Sequence, residues 1–223
     1  MVNGFSPDGG PLPPLPAERE IAIAFTPAAW RPLLNALHRL DARLGQVVSR
    51  SREPLLAQVG LAWWRDRLTE DCDAWPRADP LLTLVATTWG ARSAALVPLV
   101  DGWENLVGEG ALAAEAISAF AEGRGQAFAN FGELAGARDR HAIAAAGRRW
   151  ALADLGKRTS SDAERAMARE LAKQIAPTPS LPRQLRGLAV LDRLAQRAVK
   201  RDGALLPDRA AALLAWRVGM FGR

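Results

Sequence analysis

Two carboxylates four residues apart, Asp66 and Glu70 in "WWRDRLTED", share one face of a helical stretch. That spacing can hold a divalent cation such as Mg²⁺ between oxygen ligands. Arg65 and Arg67 stand beside them, however, so a solvated helix end with local ion pairs is the better reading. The segment "EGRGQ" at 122–126 offers two glycines, but no strand precedes it and the full phosphate-loop spacing is missing. A helix kink or close helix packing accounts for it more simply. His38 falls on the polar side of its helix and His141 near a helix start, and both read as structural or exposed. Cys72 sits in an acidic stretch, which disfavours its thiolate. No Ser–His–Asp grouping has local support, so these residue types assign no catalytic residue and no metal ligand.

The elements that carry these residues are helical. After "FTP", with Thr26 expected as the cap and Pro27 at the first helical position, apolar residues recur at Trp30, Leu33, Leu34, Leu37, Leu40, Leu44 and Val47. A second helix is predicted over 53–70 and carries "LAWWRDRL". Its apolar residues form two stripes, Leu56–Val59–Trp63 and Ala57–Leu61–Trp64–Leu68, as on a helix buried on more than one side. Further helices are predicted over 79–99 (Asp79 capping, Pro80 first), 111–135, 138–156, the capped run "SSDAERAMARELAKQI", 182–200 and 206–220. Seven to nine helices and no convincing strand make an all-α protein. Residues 1–17 are rich in Pro and Gly without a periodic apolar face and read as a disordered or extended arm, leaving 18–223 as one helical domain.

Composition limits the function classes. Apolar residues make up 49% and charged residues 24%, which suits a globular chain of 223 residues. One cysteine excludes an internal disulfide and a Cys-based zinc site, and the absence of an apolar run long enough to span a bilayer points to a cytoplasmic protein. The net charge of +5 is concentrated: 183–223 holds nine Lys/Arg against three Asp/Glu, and the rest 20 against 21. Nearly all cations are Arg, so the basicity is not taken to mean nucleic acid. The C-terminal Trp216, Met220 and Phe221, set among Arg209, Arg217 and Arg223, could touch an anionic lipid surface or a protein partner, but a solvated basic face is the better reading.

The stretch 24–68, "AFTPAAWRPLLNALHRLDARLGQVVSRSREPLLAQVGLAWWRDRL", resembles the N-terminal part of the squalene/phytoene synthase family. Phe25, Pro27, Arg31, Ala36, Leu37, Glu53, Pro54, Leu61, Trp63, Trp64, Arg65, Asp66 and Leu68 stand at matching places; similarity to about residue 220 is diffuse. The resemblance implies an isoprenoid-synthase-like helix bundle around a central cavity. Active members join two prenyl diphosphates there, with Mg²⁺ held by aspartate-rich motifs on two facing helices. By family position Arg31, His38 and Asp41 are the expected substrate-binding residues. Yet Gly45, Gln46 and Ser49 occupy the positions of the first metal motif, and only Asp154 and Asp162 remain where the second belongs. The expectation is a diverged member without prenyltransferase activity, an accessory protein similar to the branch that contains a mitochondrial complex I assembly factor. It needs no cofactor and binds a prenyl or other apolar ligand in the cavity, or a protein or membrane surface. The alternative is an active Mg²⁺-dependent prenyltransferase with diverged ligands. A cytoplasmic protein, peripheral at the inner face of the membrane, fits the first reading.

Overall fold

The computed structural model describes residues 10–51, 53–76 and 78–222. Among them are ten α-helices and no strand: α1 (Ala17–Phe25), α2 (Arg31–Arg50), α3 (Pro54–Thr69), α4 (Pro80–Thr88), α5 (Val97–Glu104), α6 (Ala114–Leu134), α7 (Arg140–Arg158), α8 (Asp162–Gln174), α9 (Arg186–Arg201) and α10 (Arg209–Phe221). No helix among the described residues is long and apolar enough to cross a membrane.

Local chemistry sets many of the starts. Asp79 accepts the N–H groups of Leu81 and Leu82 ahead of Pro80, Asp139 that of Ala142, Ser161 that of Glu164 and Asp208 that of Ala211. Two expected boundaries move. Thr26 does not cap α2; it ends α1, where its hydroxyl donates to Ala22 O, and a turn through Pro27–Trp30 intervenes. The helix expected over 79–99 stops at Thr88, because Gly90 turns left-handed (φ +52°), and a 3₁₀ stretch leads into α5. The expected arm, 1–17, divides. Residues 1–9 lie outside the described residues, whereas 10–16 run extended along α2, where Arg39 donates to Pro13 O and Arg43 to Gly10 O and Pro11 O.

The order of packing runs α3–α5–α6–α7–α9–α10, with α2 laid across α3, α4, α5 and α6, α1 against α2 and α9, and α8 against α6, α7 and α9. The central helix, α6, is approached closely from two sides by virtue of "EGRGQ". A Cβ on Gly123 would lie 2.2 Å from Pro98 O and 2.8 Å from Gly102 Cα, so α5 touches backbone to backbone. Two residues on, about 200° round the helix, a Cβ on Gly125 would lie 2.8 Å from Ala144 O on α7, and one on Gly147 would lie 3.1 Å from Gly125 Cα. Close packing is therefore the role of these glycines, and Arg124 is held between the two contacts.

The paired tryptophans divide their work. Trp64 is buried and Trp63 half-buried, with the rings edge to face at 5.1 Å. The stripe that contains Trp63 is not a second core face: Leu55, Leu56 and Val59 are exposed. Since α5 and α6 close at Gly123 without room for a methyl group, Gly123→Ala must spread the helices. A loss of about 1–3 kcal/mol is expected, or roughly 2–4 °C per kcal/mol in the thermal midpoint, measured by circular dichroism.

Candidate functional site

At the centre of the bundle four charged side chains from four helices meet. Arg19 (α1), Asp41 (α2), Arg124 (α6) and Asp154 (α7) are all buried. Arg124 grips Asp41 in a two-pronged pair, Nε to Oδ1 at 2.8 Å and a terminal nitrogen to Oδ2 at 2.7 Å, and reaches Asp154 Oδ2 at 2.8 Å with the other. Arg19 spans the same two carboxylates, donating to Asp41 Oδ2 at 2.8 Å and Asp154 Oδ2 at 3.0 Å. Trp103 Nε1 donates to Asp41 Oδ1 at 2.9 Å, and Arg158 Nε to Asp154 Oδ2 at 3.0 Å. Asp41 thus accepts four hydrogen bonds, two on each oxygen, and has no lone pair to spare.

Aromatic rings wall the cluster. The Arg124 guanidinium lies 4.4 Å from the Phe120 centroid, 4.8 Å from Trp150 and 5.1 Å from Trp103; Arg19 lies 4.8 Å from Trp150. Trp103 can reach Asp41 because residue 45 is glycine, whose absent Cβ would stand 3.0 Å from the indole. Behind the arginines His38 is fully buried, edge to face with Phe128 and Trp150, and neither ring nitrogen has a hydrogen-bond partner among the described residues.

Electrostatics follow from this enclosure. Burial alone would raise Asp41, but Arg124 and then Arg19 hold its carboxyl below the usual range. Burial acts likewise on Asp154, which Arg19, Arg124 and Arg158 more than offset downward. His38 is pushed down to about 3, first by burial and then by the positive charge of Arg19. Both aspartates are ionised and His38 is neutral across the physiological range.

Of the residues expected by family position, His38 and Asp41 come together at this centre. His38 is not on a polar face, since α2 is buried on that side as well as along its leucine stripe. Arg31 is exposed and apart, donating to Ala24 O and Thr26 O at the end of α1. Gly45 is buried beneath Trp103, whereas Gln46 and Ser49 line a surface cleft of about 470 Å³ with Pro14, Pro16, Leu155 and Arg158. Asp66 and Glu70 do not form a metal pair: Glu70 accepts from Arg67 at 2.6 Å, and Asp66 is exposed. Arg65, between them and the tryptophans, ties α3 to Asp101 and Glu104 of α5. His141 is exposed, and Asp162 pairs with Arg165.

Sequence reasoning missed the two arginines. Arg124 had a signal, a cation inside a glycine pair in an otherwise apolar helix. Arg19 had a fainter one, in register with Ala22, Ile23 and Thr26 on a helix the Pro-rich arm conceals.

A Mg²⁺–diphosphate arrangement does not fit these residues. It needs carboxylate oxygens free to coordinate, and those of Asp41 are consumed by Arg19, Arg124 and Trp103. Glu164, on the wall of the cleft, is itself held by the Leu112 N–H and the Thr159 hydroxyl. No protein-family model matches the chain, nor does any curated protein or solved structure.

Two outcomes follow. In Asp41→Asn the buried guanidiniums lose half of their counter-charge, so stability falls by about 3–5 kcal/mol in urea unfolding. The second concerns His38. An unfolded histidine titrates near 6.5, so between that pH and about 3 the unfolded chain binds a proton that the folded one refuses. This contribution is whole above about pH 6.5 and is lost as pH falls, by up to about 1.4 kcal/mol per pH unit. The aspartates add their losses only below their ordinary range near 3.9. His38→Leu removes the effect and two unpartnered nitrogens, so its thermal midpoint falls less than the wild type's between about pH 6.5 and 4.5.

Proposed function

We propose that this protein is a diverged relative of the squalene/phytoene synthases that performs no prenyl transfer and acts as a binding or accessory protein. The observation that carries the reading is the pair of aspartates on facing helices, Asp41 of α2 and Asp154 of α7, closed over by Arg19 and Arg124. On this reading guanidinium groups of the chain, and not metal ions, are the partners of the two aspartates, and Asp41 lies a turn before the first metal-motif positions Gly45, Gln46 and Ser49. A positive charge still neutralises the carboxylates, but it is covalently fixed, cannot exchange, and cannot bridge to a leaving diphosphate. The aromatic rings that would shelter a carbocation stack on arginines instead.

Room for a ligand is offered at the periphery. The cleft over Gly45, Gln46 and Ser49 offers Pro14, Pro16, Val48, Trp103, Leu112 and Leu155 as apolar wall and Arg158, Thr159 and Ser160 as polar edge. A prenyl or other apolar chain with a small polar end is the ligand class proposed for it. Purified protein incubated with farnesyl or geranylgeranyl diphosphate and Mg²⁺ is expected to release no diphosphate above a heat-killed control. Release that disappears in Asp41→Asn or Asp154→Asn would establish the active-enzyme alternative. A thermal midpoint raised by the same ligands without Mg²⁺ would support ligand binding; a flat response would leave partner binding as the accessory role.

A further inference from the structure

The last helix, α10, is built inside out for a surface helix. Its inner side is small: Ala211, Ala215 and Val218 are buried against its neighbours α9 and α1, and Gly219 lies so close to the Phe25 ring that a Cβ would stand 2.3 Å from it. Asp208 caps its start and Gly222, at φ +81°, ends it. The helix is therefore firmly seated, and its outward side is not a core face left uncovered by loose packing. That outward side carries Leu213 (63% exposed), Trp216 (49%), Met220 (55%) and Phe221 (60%). Arg209 and Arg217 lie on the same arc, a turn from Leu213 and from Phe221 respectively, and neither makes a salt bridge among the described residues. The helix contains no acidic residue.

The charge of the C-terminal fifth is mostly positive. Of the three acids in the C-terminal fifth, Asp192 is buried with Arg149, Asp202 pairs with Arg169, and Asp208 pairs with Arg197. Arg193, Lys200 and Arg201 of α9 are exposed with no carboxylate within salt-bridge distance among the described residues. A convex apolar ridge with flanking arginines suits an interface between water and lipid. Leu, Met, Phe and Trp enter the acyl boundary, while the long arginine stems let the guanidiniums rise to anionic headgroups.

A protein partner is less well matched. Four half-exposed side chains of this size present roughly 400 Å², against about 800 Å² per partner in a standard interface. A second copy meeting this face about a two-fold axis would set arginines against arginines. We propose that α10 docks the protein on an anionic lipid surface, with Trp216, Met220, Leu213 and Phe221 inserted and Arg209 and Arg217 at the headgroups. This docking does not depend on the reading of the central cluster.

The test is flotation of the full chain with vesicles of phosphatidylcholine alone or mixed with phosphatidylglycerol. The protein is expected to float with the mixed vesicles at low salt, to stay behind with the neutral ones, and to be released as salt rises. The double variant Trp216→Glu/Met220→Glu, whose side chains are exposed and whose fold is checked by circular dichroism, is expected to lose flotation. Each of Arg209→Gln and Arg217→Gln is expected to weaken partitioning about fivefold. Leu55→Glu, on the exposed stripe of α3, is expected to leave it unchanged. Flotation absent at low salt, equal with both vesicle types, or retained in Trp216→Glu/Met220→Glu would overturn the proposal. So would loss in Leu55→Glu alone, or a dimer dissolved by the α10 variants without vesicle binding.

Discussion

Everything at the centre of this bundle depends on two aspartates that could not be buried alone. Taking a carboxylate out of water costs several kcal/mol even after relaxation, and only close, well-directed counter-charges recover it. Arg19 and Arg124 supply them from two helices to carboxylates on two others, so α1, α2, α6 and α7 meet at one point. The features around that point follow as requirements. The glycines of "EGRGQ" let α5 and α7 press against α6 on either side of Arg124, and Gly45 makes room for the Trp103 indole that completes Asp41. The rings of Phe120, Trp103 and Trp150 exclude water, which strengthens each ion pair and also explains why His38, behind them, stays neutral.

The same centre bears on function through what its cations are. A metal ion brought in from solution can shift its ligands, accept an oxygen from a substrate and leave with a product. A guanidinium keeps its charge but offers only donors, in a fixed plane, on a tether. Guanidiniums at this point satisfy the electrostatic need of the two aspartates and leave Asp41 no oxygen for a metal ion. The geometry that secures the fold is therefore also the one on which the proposal of a non-catalytic protein rests, and that proposal looks for binding to the cleft over Gly45 and the outward face of α10.

Much of the fold was legible because helix signals are local. Periodic leucines, Asp79–Pro80 and the capped start of α8 all act within a few residues of where they are read. What was not legible depends on partners distant in sequence. His38 looked polar-faced because α2 shows a leucine stripe opposite it; only the approach of Phe128 and Trp150, some 90 and 112 residues on, buries it. The stripe of Leu56, Val59 and Trp63 looked like core by the same rule, and no neighbour arrives to cover it. The Pro-rich start concealed α1 and with it Arg19, since a helix of nine residues with charges in its first turn carries little periodic signal. Asp41 and Asp154 were visible as isolated acids, but nothing local says that an acid will find two arginines.

The quartet also resolves a difficulty that the composition creates. Helices rich in Ala, Leu and Gly present similar surfaces one turn along, and apolar contacts alone discriminate poorly between registers about 5.4 Å apart. Each of the four central helices contributes one charge to the cluster, and a slip of a turn in any one would strand an aspartate or an arginine without its partner. The penalty for that error, several kcal/mol, is comparable to the whole stability of an ordinary domain. A purely apolar centre of the same volume could match or exceed the quartet in stability, but it would not impose that penalty. The cluster is thus better understood as fixing which packing is adopted than as adding to its depth.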